Sequence, residues 1–166
     1  MKVYLEPISF LFLFSNTDAG KIIRKIFRKA EEGKITIVTS IWSYNQYLDE
    51  MVFLYRDADE DAKFNVRVMM NILGRKLSAL AEKNHYVEVG LTQILLESAS
   101  LHIINSGLTA EQAVHMFSAQ LNRVNIFVVA DESFLLDKDR WKDDFDVFHL
   151  QNSDDRLELE KILKEM

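Results

Sequence analysis

Two short runs of the chain contain apolar and β-branched residues with hardly any polar interruption. They are Ile35–Thr39 (ITIVT) and Ile126–Ala130 (IFVVA), and each is bounded by polar or small residues. A strand that is apolar on both faces needs cover on both sides, as in a parallel sheet between two layers of helices. These runs therefore constrain the fold more than any other feature of the sequence.

Helical periodicity alternates with further strand-like segments along the rest of the chain. Strands are predicted at Met1–Leu5, Ile35–Thr39, Tyr86–Val89, Ile126–Ala130 and Phe145–Leu150. Helices are predicted at Gly20–Glu32 (capped by Asp18), from Ser40 to about Arg56, at Glu60–Glu82, at Leu91–Asn105 up to a break at Gly107, from Thr109 to Leu121, and at Asp154–Lys164 (capped by Ser153).

This alternation predicts a three-layer α/β/α fold around a central, mainly parallel sheet of about five strands. Residues 1–150 would form one α/β domain, and residues 151–166 would add a C-terminal amphipathic helix packed on the same domain. The chain of 166 residues has no cysteine, which excludes disulfides, thiol catalysis and cysteine-bound zinc. The apolar run Ile8–Phe14 is too short to span a membrane, so a cytoplasmic protein is expected.

The carboxyl ends of parallel strands are where sites form in such sheets. Three motifs lie there or lead there. The first strand ends in an acidic residue (VYLEPISFL), the second enters a helix through Ser40 (ITIVTSIWSYNQYL), and a histidine-bearing helix (LTAEQAVHMFSAQL) precedes a strand that ends in Ala-Asp-x-x-Phe (IFVVADESF). In their order and spacing these motifs resemble the PIN-domain family, over roughly residues 1–150.

The resemblance implies a Mg²⁺- or Mn²⁺-dependent ribonuclease, a class that includes the toxins of toxin–antitoxin pairs. A cluster of carboxylates in that family holds the metal, which activates water and stabilises charge on the phosphate. The family's acidic positions fall here on Glu6, Asn45, Gln112 and Asp131. Asp49, one helical turn beyond Asn45, is a further metal-ligand candidate.

Two of these four positions carry neutral amides, which bring no charge to offset the desolvation of a cation. We therefore expect weak or absent Mg²⁺ or Mn²⁺ binding, and a PIN-like protein that binds RNA or a partner protein with little or no nuclease activity. The alternative is an active toxin-like ribonuclease that uses Glu6 and Asp131. A third interpretation is an unrelated α/β fold that matches the motifs by chance.

A basic stripe lies on the second predicted element. Lysines and arginines recur at helical spacing on the face opposite Ile22 and Ile26, at Lys21, Arg24, Lys25, Arg28 and Lys29. Such a stripe contacts RNA phosphates or an acidic partner, or is simply a solvated face. The apolar side of Glu60–Glu82 is predicted to form core or a subunit interface, so a homodimer is a further prediction. His115 lies in an apolar helical pattern and is predicted to be structural.

Overall fold

Five parallel strands form one sheet in the order β3-β2-β1-β4-β5. The computed structural model describes residues 1–106, 108–131, 134 and 141–166, with the backbone alone at 102 and 104–106. The strands are β1 (Lys2–Leu5), β2 (Thr36–Ser40), β3 (Tyr86–Val89), β4 (Ile126–Val129) and β5 (Asp146–His149). Every strand pair in this part of the chain is parallel, which confirms the predicted sheet.

Seven helices flank the sheet within the described ranges. They are α1 (Pro7–Leu11), α2 (Asp18–Glu31), α3 (Ile41–Arg56), α4 (Glu60–Glu82), α5 (Gln93–Ser106), α6 (Ala110–Leu121) and α7 (Ser153–Glu165). Two predicted caps were wrong by one residue: Thr17, not Asp18, caps α2, and Asn152, not Ser153, caps α7. The predicted break at Gly107 lies outside the described residues.

The two faces of the sheet pack against different helices. On β1, Val3 and Leu5 belong to one core with residues of α1–α4 and α7, while Tyr4 belongs to a second core with α5 and α6. The same alternation separates Val128 from Phe127 on β4. Because successive side chains of a strand point to opposite faces, this division establishes a three-layer α/β/α fold. In the described part of the chain, no helix is both long and apolar enough to cross a membrane.

Helix α1 was not predicted from the sequence. It lies in the apolar run Ile8–Phe14, where no polar residue marks a helical face, and a single 3-10 turn at Phe12–Phe14 follows it. Pro7 suits its first turn, because proline lacks the N–H that a helix start leaves unpaired. The chain then turns into α2, which packs beside α7.

We predict opposite effects for alanine at two helical glycines. In α2, a Cβ on Gly20 would lie 2.4 Å from the carbonyl oxygen of Ser15 and 2.7 Å from that of Phe12. Backbone atoms cannot move aside easily, so Gly20→Ala should lower the free energy of unfolding by about 1–3 kcal/mol. In α4, nothing lies within 4 Å of a Cβ on Gly74. Gly74→Ala is the matched control and should raise stability by up to about 1 kcal/mol. Urea unfolding measures both, and equal effects would contradict the packing described at Gly20.

Candidate functional site

The strand order of the sheet reverses between β1 and β4. Strands β2 and β3 lie on one side of β1, and strands β4 and β5 lie on the other side. Such a reversal of strand order opens a crevice in which α/β proteins bind ligands. Glu6 follows β1 and Asp131 lies two residues beyond the end of β4, so the structure brings these two predicted site residues to the same place.

The Glu6 carboxylate is directed into the protein. Its Oε1 accepts hydrogen bonds from the Ser9 backbone N–H (2.9 Å), the Ser9 hydroxyl (3.0 Å) and the Ala130 N–H (2.9 Å). Its Oε2 accepts from the Ile8 N–H (3.0 Å). The side chain thus caps α1 and ties its start to the residue after β4. Glu6 is 1% exposed, so both oxygens are used inside the protein.

Burial is the main influence on the acidity of Glu6. Desolvation raises the pKa of its carboxyl to about 7, although the hydrogen bonds from Ile8, Ala130 and Ser9 favour the charged form and act in the opposite direction. A cation ligand needs an oxygen that is open to the ion, whereas both Glu6 oxygens are enclosed by the protein. The environment of Glu6 is that of a structural cap.

A second buried polar cluster lies beside the crevice and was not predicted from the sequence. The Tyr4 hydroxyl on β1 accepts a hydrogen bond from the Ser40 N–H (3.1 Å) and lies 2.9 Å from His115 Nδ1. Gln46 Oε1 lies 3.0 Å from His115 Nε2 and can only accept, so the proton of the neutral ring is on Nε2. Nδ1 then accepts a hydrogen bond from the Tyr4 hydroxyl. This chain of hydrogen bonds joins α3 to α6 around the edge of the sheet.

His115 is fully buried, and Ser40 and Ser43 lie within 3.4 Å of its Nδ1. Burial lowers the pKa of this imidazole to about 3, so the ring is neutral at physiological pH. The protein occupies both ring nitrogens, which gives His115 the structural role that its apolar helical surroundings predicted. Ser40 was marked by its place at the end of a predicted strand, whereas Ser43 and Gln46 carried no recognisable sequence signal, because polar residues near a helix start are common.

The other family-equivalent positions do not complete a metal site. Gln112 forms a capping box with Thr109, in which its side-chain oxygen accepts from the Thr109 N–H at 2.9 Å. Asn45 and Asp49 are exposed on α3, and Asp131 is partly buried and engaged in an interaction. Among the described residues, no group of three or more histidine, aspartate or glutamate side chains is arranged to hold a metal ion.

The basic stripe on α2 lies away from this crevice, in a groove between α2 and α7. Four residues of the predicted stripe line the groove, Lys21, Arg24, Lys25 and Arg28, but Lys29 does not. Lys29 is buried beside Ala30, where its stem covers core residues and its Nζ lies 3.6 Å from Glu32. Arg156 on α7 takes part instead, a contribution that depends on the packing of two helices distant in sequence.

We predict that Glu6 and His115 make opposite contributions to stability as pH changes. Between about pH 4.5 and 7 the folded protein keeps a proton on Glu6 that the unfolded chain has released, so this group lowers stability as pH rises. Between about pH 3 and 6.5 the unfolded chain protonates His115 and the folded protein does not, so this group raises stability as pH rises.

Chemical unfolding from pH 3 to 8 tests both contributions. Relative to wild type, Glu6→Gln should remove the loss of stability between pH 4.5 and 7, a difference of roughly 3 kcal/mol across the window. His115→Gln should remove the gain between pH 3 and 6.5. If the free energy of unfolding of Glu6→Gln depends on pH with the same slope as that of wild type, the described burial of the carboxyl is wrong.

Removing the Tyr4 hydroxyl should destabilise the protein. Tyr4→Phe leaves the Ser40 N–H and His115 Nδ1 without their shortest buried partner, which we expect to cost about 1–3 kcal/mol. Tyr86→Phe is the control, because it removes one partly buried hydrogen bond, to the Thr39 hydroxyl at 3.0 Å. Tyr86→Phe should lower the free energy of unfolding by about 1 kcal/mol or less. If thermal unfolding shows equal losses of stability for the two variants, the hydrogen bonds of Tyr4 contribute no more than the one of Tyr86.

Comparison with known proteins bears on the fold. No protein-family model and no curated protein sequence matches this chain. Among solved structures, the crystal structure of PAE2754 from Pyrobaculum aerophilum is similar, with a TM-score of 0.54 at 15% sequence identity. The alignment covers 82% of this chain and 86% of that one. At this identity the likeness shows a shared fold alone, so the resemblance to the PIN-domain family stays a prediction.

Proposed function

We propose that this chain is a PIN-like protein that acts by binding a partner and not by metal-dependent cleavage of RNA. The observation that carries the proposal is the Glu6 carboxylate, whose two oxygens accept four hydrogen bonds from the protein itself. In the family that the sequence resembles, the residue at this position binds the metal. In this protein the Glu6 carboxylate accepts hydrogen bonds from the protein instead, three of them from backbone N–H groups.

Recruiting Glu6 to a cation would be costly. Hydrogen bonds to a charged group contribute about 1.5–3 kcal/mol each, and turning the carboxylate outward would break several of them at once. The buried Ala130 N–H would lose its Glu6 acceptor, while the Ser9 N–H would keep only its 3.1 Å bond to the Glu6 backbone carbonyl. Asn45 and Gln112 supply no charge to offset this loss, and Gln112 is already used as a cap.

Exposed apolar side chains support a protein as the partner. Large hydrophobic residues stand open to solvent on α3, α4 and around α5, among them Phe53 (64% exposed), Phe64 (65%) and Ile94 (66%). Those on α3 and α4 belong to one layer of the fold and those around α5 to the other, and exposed apolar side chains mark protein contacts more often than nucleic-acid contacts. A second copy of this chain is one such partner, in keeping with the predicted homodimer.

The second candidate function is a toxin-like ribonuclease that uses Glu6 and Asp131. It is favoured by the placement of Asp131 beside Glu6 at the switch point of the sheet. In this version Mg²⁺ or Mn²⁺ would supply the activated water.

A cleavage assay separates the two functions. We expect the purified protein to leave labelled single-stranded RNA intact in Mg²⁺ or Mn²⁺, and the Asp131→Ala variant to behave in the same way. Asp61→Ala, at an exposed acid in the first turn of α4, serves as the matched control. RNA cleavage that needs the metal, is abolished by Asp131→Ala and survives Asp61→Ala would overturn the binding proposal in favour of the ribonuclease.

A further inference from the structure

Helices α2 and α7 lie side by side on the same layer and enclose an open groove. The groove has a volume of about 870 Å³, enough for several side chains of a ligand. Both helices begin on the carboxyl side of the sheet, α2 beyond β1 and α1, and α7 after β5. The groove is separate from the crevice that holds Glu6, because α2 and α7 form its walls and neither β1 nor β4 lines it.

Positive charge dominates the walls of this groove. Five cationic side chains line it, at Lys21, Arg24, Lys25, Arg28 and Arg156, against two acidic ones, at Asp18 and Glu160. The lining residues therefore carry a net charge of +3, partly offset by Glu32 beside Arg28, in a protein whose net charge is −6. Because the protein as a whole is negatively charged, a local excess of positive charge attracts an anionic ligand to this groove and not to the rest of the surface.

The ion pairs already present in the groove are of a kind that a ligand can replace. Lys21 Nζ lies 2.7 Å from Asp18, but both side chains are 69% exposed. Arg28 Nε is 3.9 Å from Glu32 on an exposed stretch of α2. Exposed pairs contribute about 0–1 kcal/mol, so an incoming carboxylate that brings further contacts can displace them. Lys21 and Arg28 are therefore the cations most available to a ligand.

The groove also offers an apolar contact. Leu157 on α7 lines the groove with 66% of its surface exposed, and Ile22 on α2 adds a buried apolar wall. A ligand that fits both features carries negative charges together with at least one apolar side chain. Nucleic acid matches less well, because it brings no aliphatic side chain to Leu157 and none of the described lining residues is an aromatic on which a base could stack.

We infer that the α2–α7 groove binds an acidic peptide segment of a partner protein, which places carboxylates against Lys21 and Arg28 and an apolar side chain on Leu157. This inference rests on the proposed binding function and adds to it the site and the chemistry of the partner. An amphipathic helix laid between two parallel helices is a common way to fill such a groove.

A peptide-display selection tests the inference. A library of random 12-residue peptides is selected on the full-length protein, and enriched peptides are synthesised with a fluorescent label for measurement of Kd. We expect enrichment of peptides rich in aspartate and glutamate with a leucine, isoleucine or phenylalanine among them. Lys21→Glu/Arg28→Glu should weaken their binding by at least about tenfold, because reversing facing charges replaces attraction with repulsion. Leu157→Ser should weaken it severalfold with little effect on its salt dependence.

The control variant is Arg75→Glu/Lys161→Glu, which makes the same change in net charge at exposed positions that do not line the groove. It should alter Kd by less than about twofold. Circular dichroism and thermal unfolding establish that all variants fold. A labelled 12-nucleotide uridine RNA is measured in parallel.

Three results would overturn the inference: no enrichment of acidic peptides, equal binding by the groove variant and the control, or groove-dependent binding of the RNA that is tighter than that of the peptides. The cleavage assay reports separately on the proposed function. RNA cleavage with intact peptide binding would reject the proposed function alone, and no cleavage with failed peptide selection would reject this inference alone.

Discussion

The hydrogen bonds to the Glu6 carboxylate hold the centre of this fold together. They fix the first turn of α1 to the end of β1 and join both to Ala130, which follows β4, across 124 positions of the chain. The two strands that they connect are neighbours in the middle of the sheet, where the strand order reverses. One side chain thus closes the crevice in which α/β folds place ligands, and the Tyr4–His115 cluster ties the helices of both layers beside it.

Much of the fold could be predicted because the sequence repeats a physical pattern. Runs such as Ile126–Val129 are apolar throughout and have to be buried on both faces, and the bounds of α4 follow from helical periodicity and from acidic residues at its start. Helix α1 could not be found this way, since Ile8–Phe14 has no polar face from which a period can be read. Thr17 and Asp18 are both good capping residues, so only the backbone decides between them.

The candidate site was predicted only in part, because sequence order shows which residues reach an edge and not where their side chains point. Glu6 and Asp131 both lie at the carboxyl edge of the sheet, as predicted, but the inward turn of Glu6 depends on the Ser9 hydroxyl and on a distant backbone N–H. Helical spacing likewise placed Lys29 in the basic stripe, whereas its neighbours Ile26 and Ala30 draw its stem into the core. Arg156 lines the groove only because α7 packs beside α2, a contact that the sequence does not show.

The most direct test of this account is the titration of the Glu6 carboxyl itself. In protein labelled with ¹³C at glutamate carboxyl carbons, the Glu6 resonance is assigned by its loss in Glu6→Gln and followed from pH 3 to 9, with and without Mg²⁺. We predict a midpoint near a pKa of about 7 that Mg²⁺ does not move. A titration that Mg²⁺ shifts downward would show that Glu6 is open to a metal and would contradict the structural role assigned to it. A midpoint at or below the ordinary value near 4.5 would contradict the burial of the carboxyl on which that role depends.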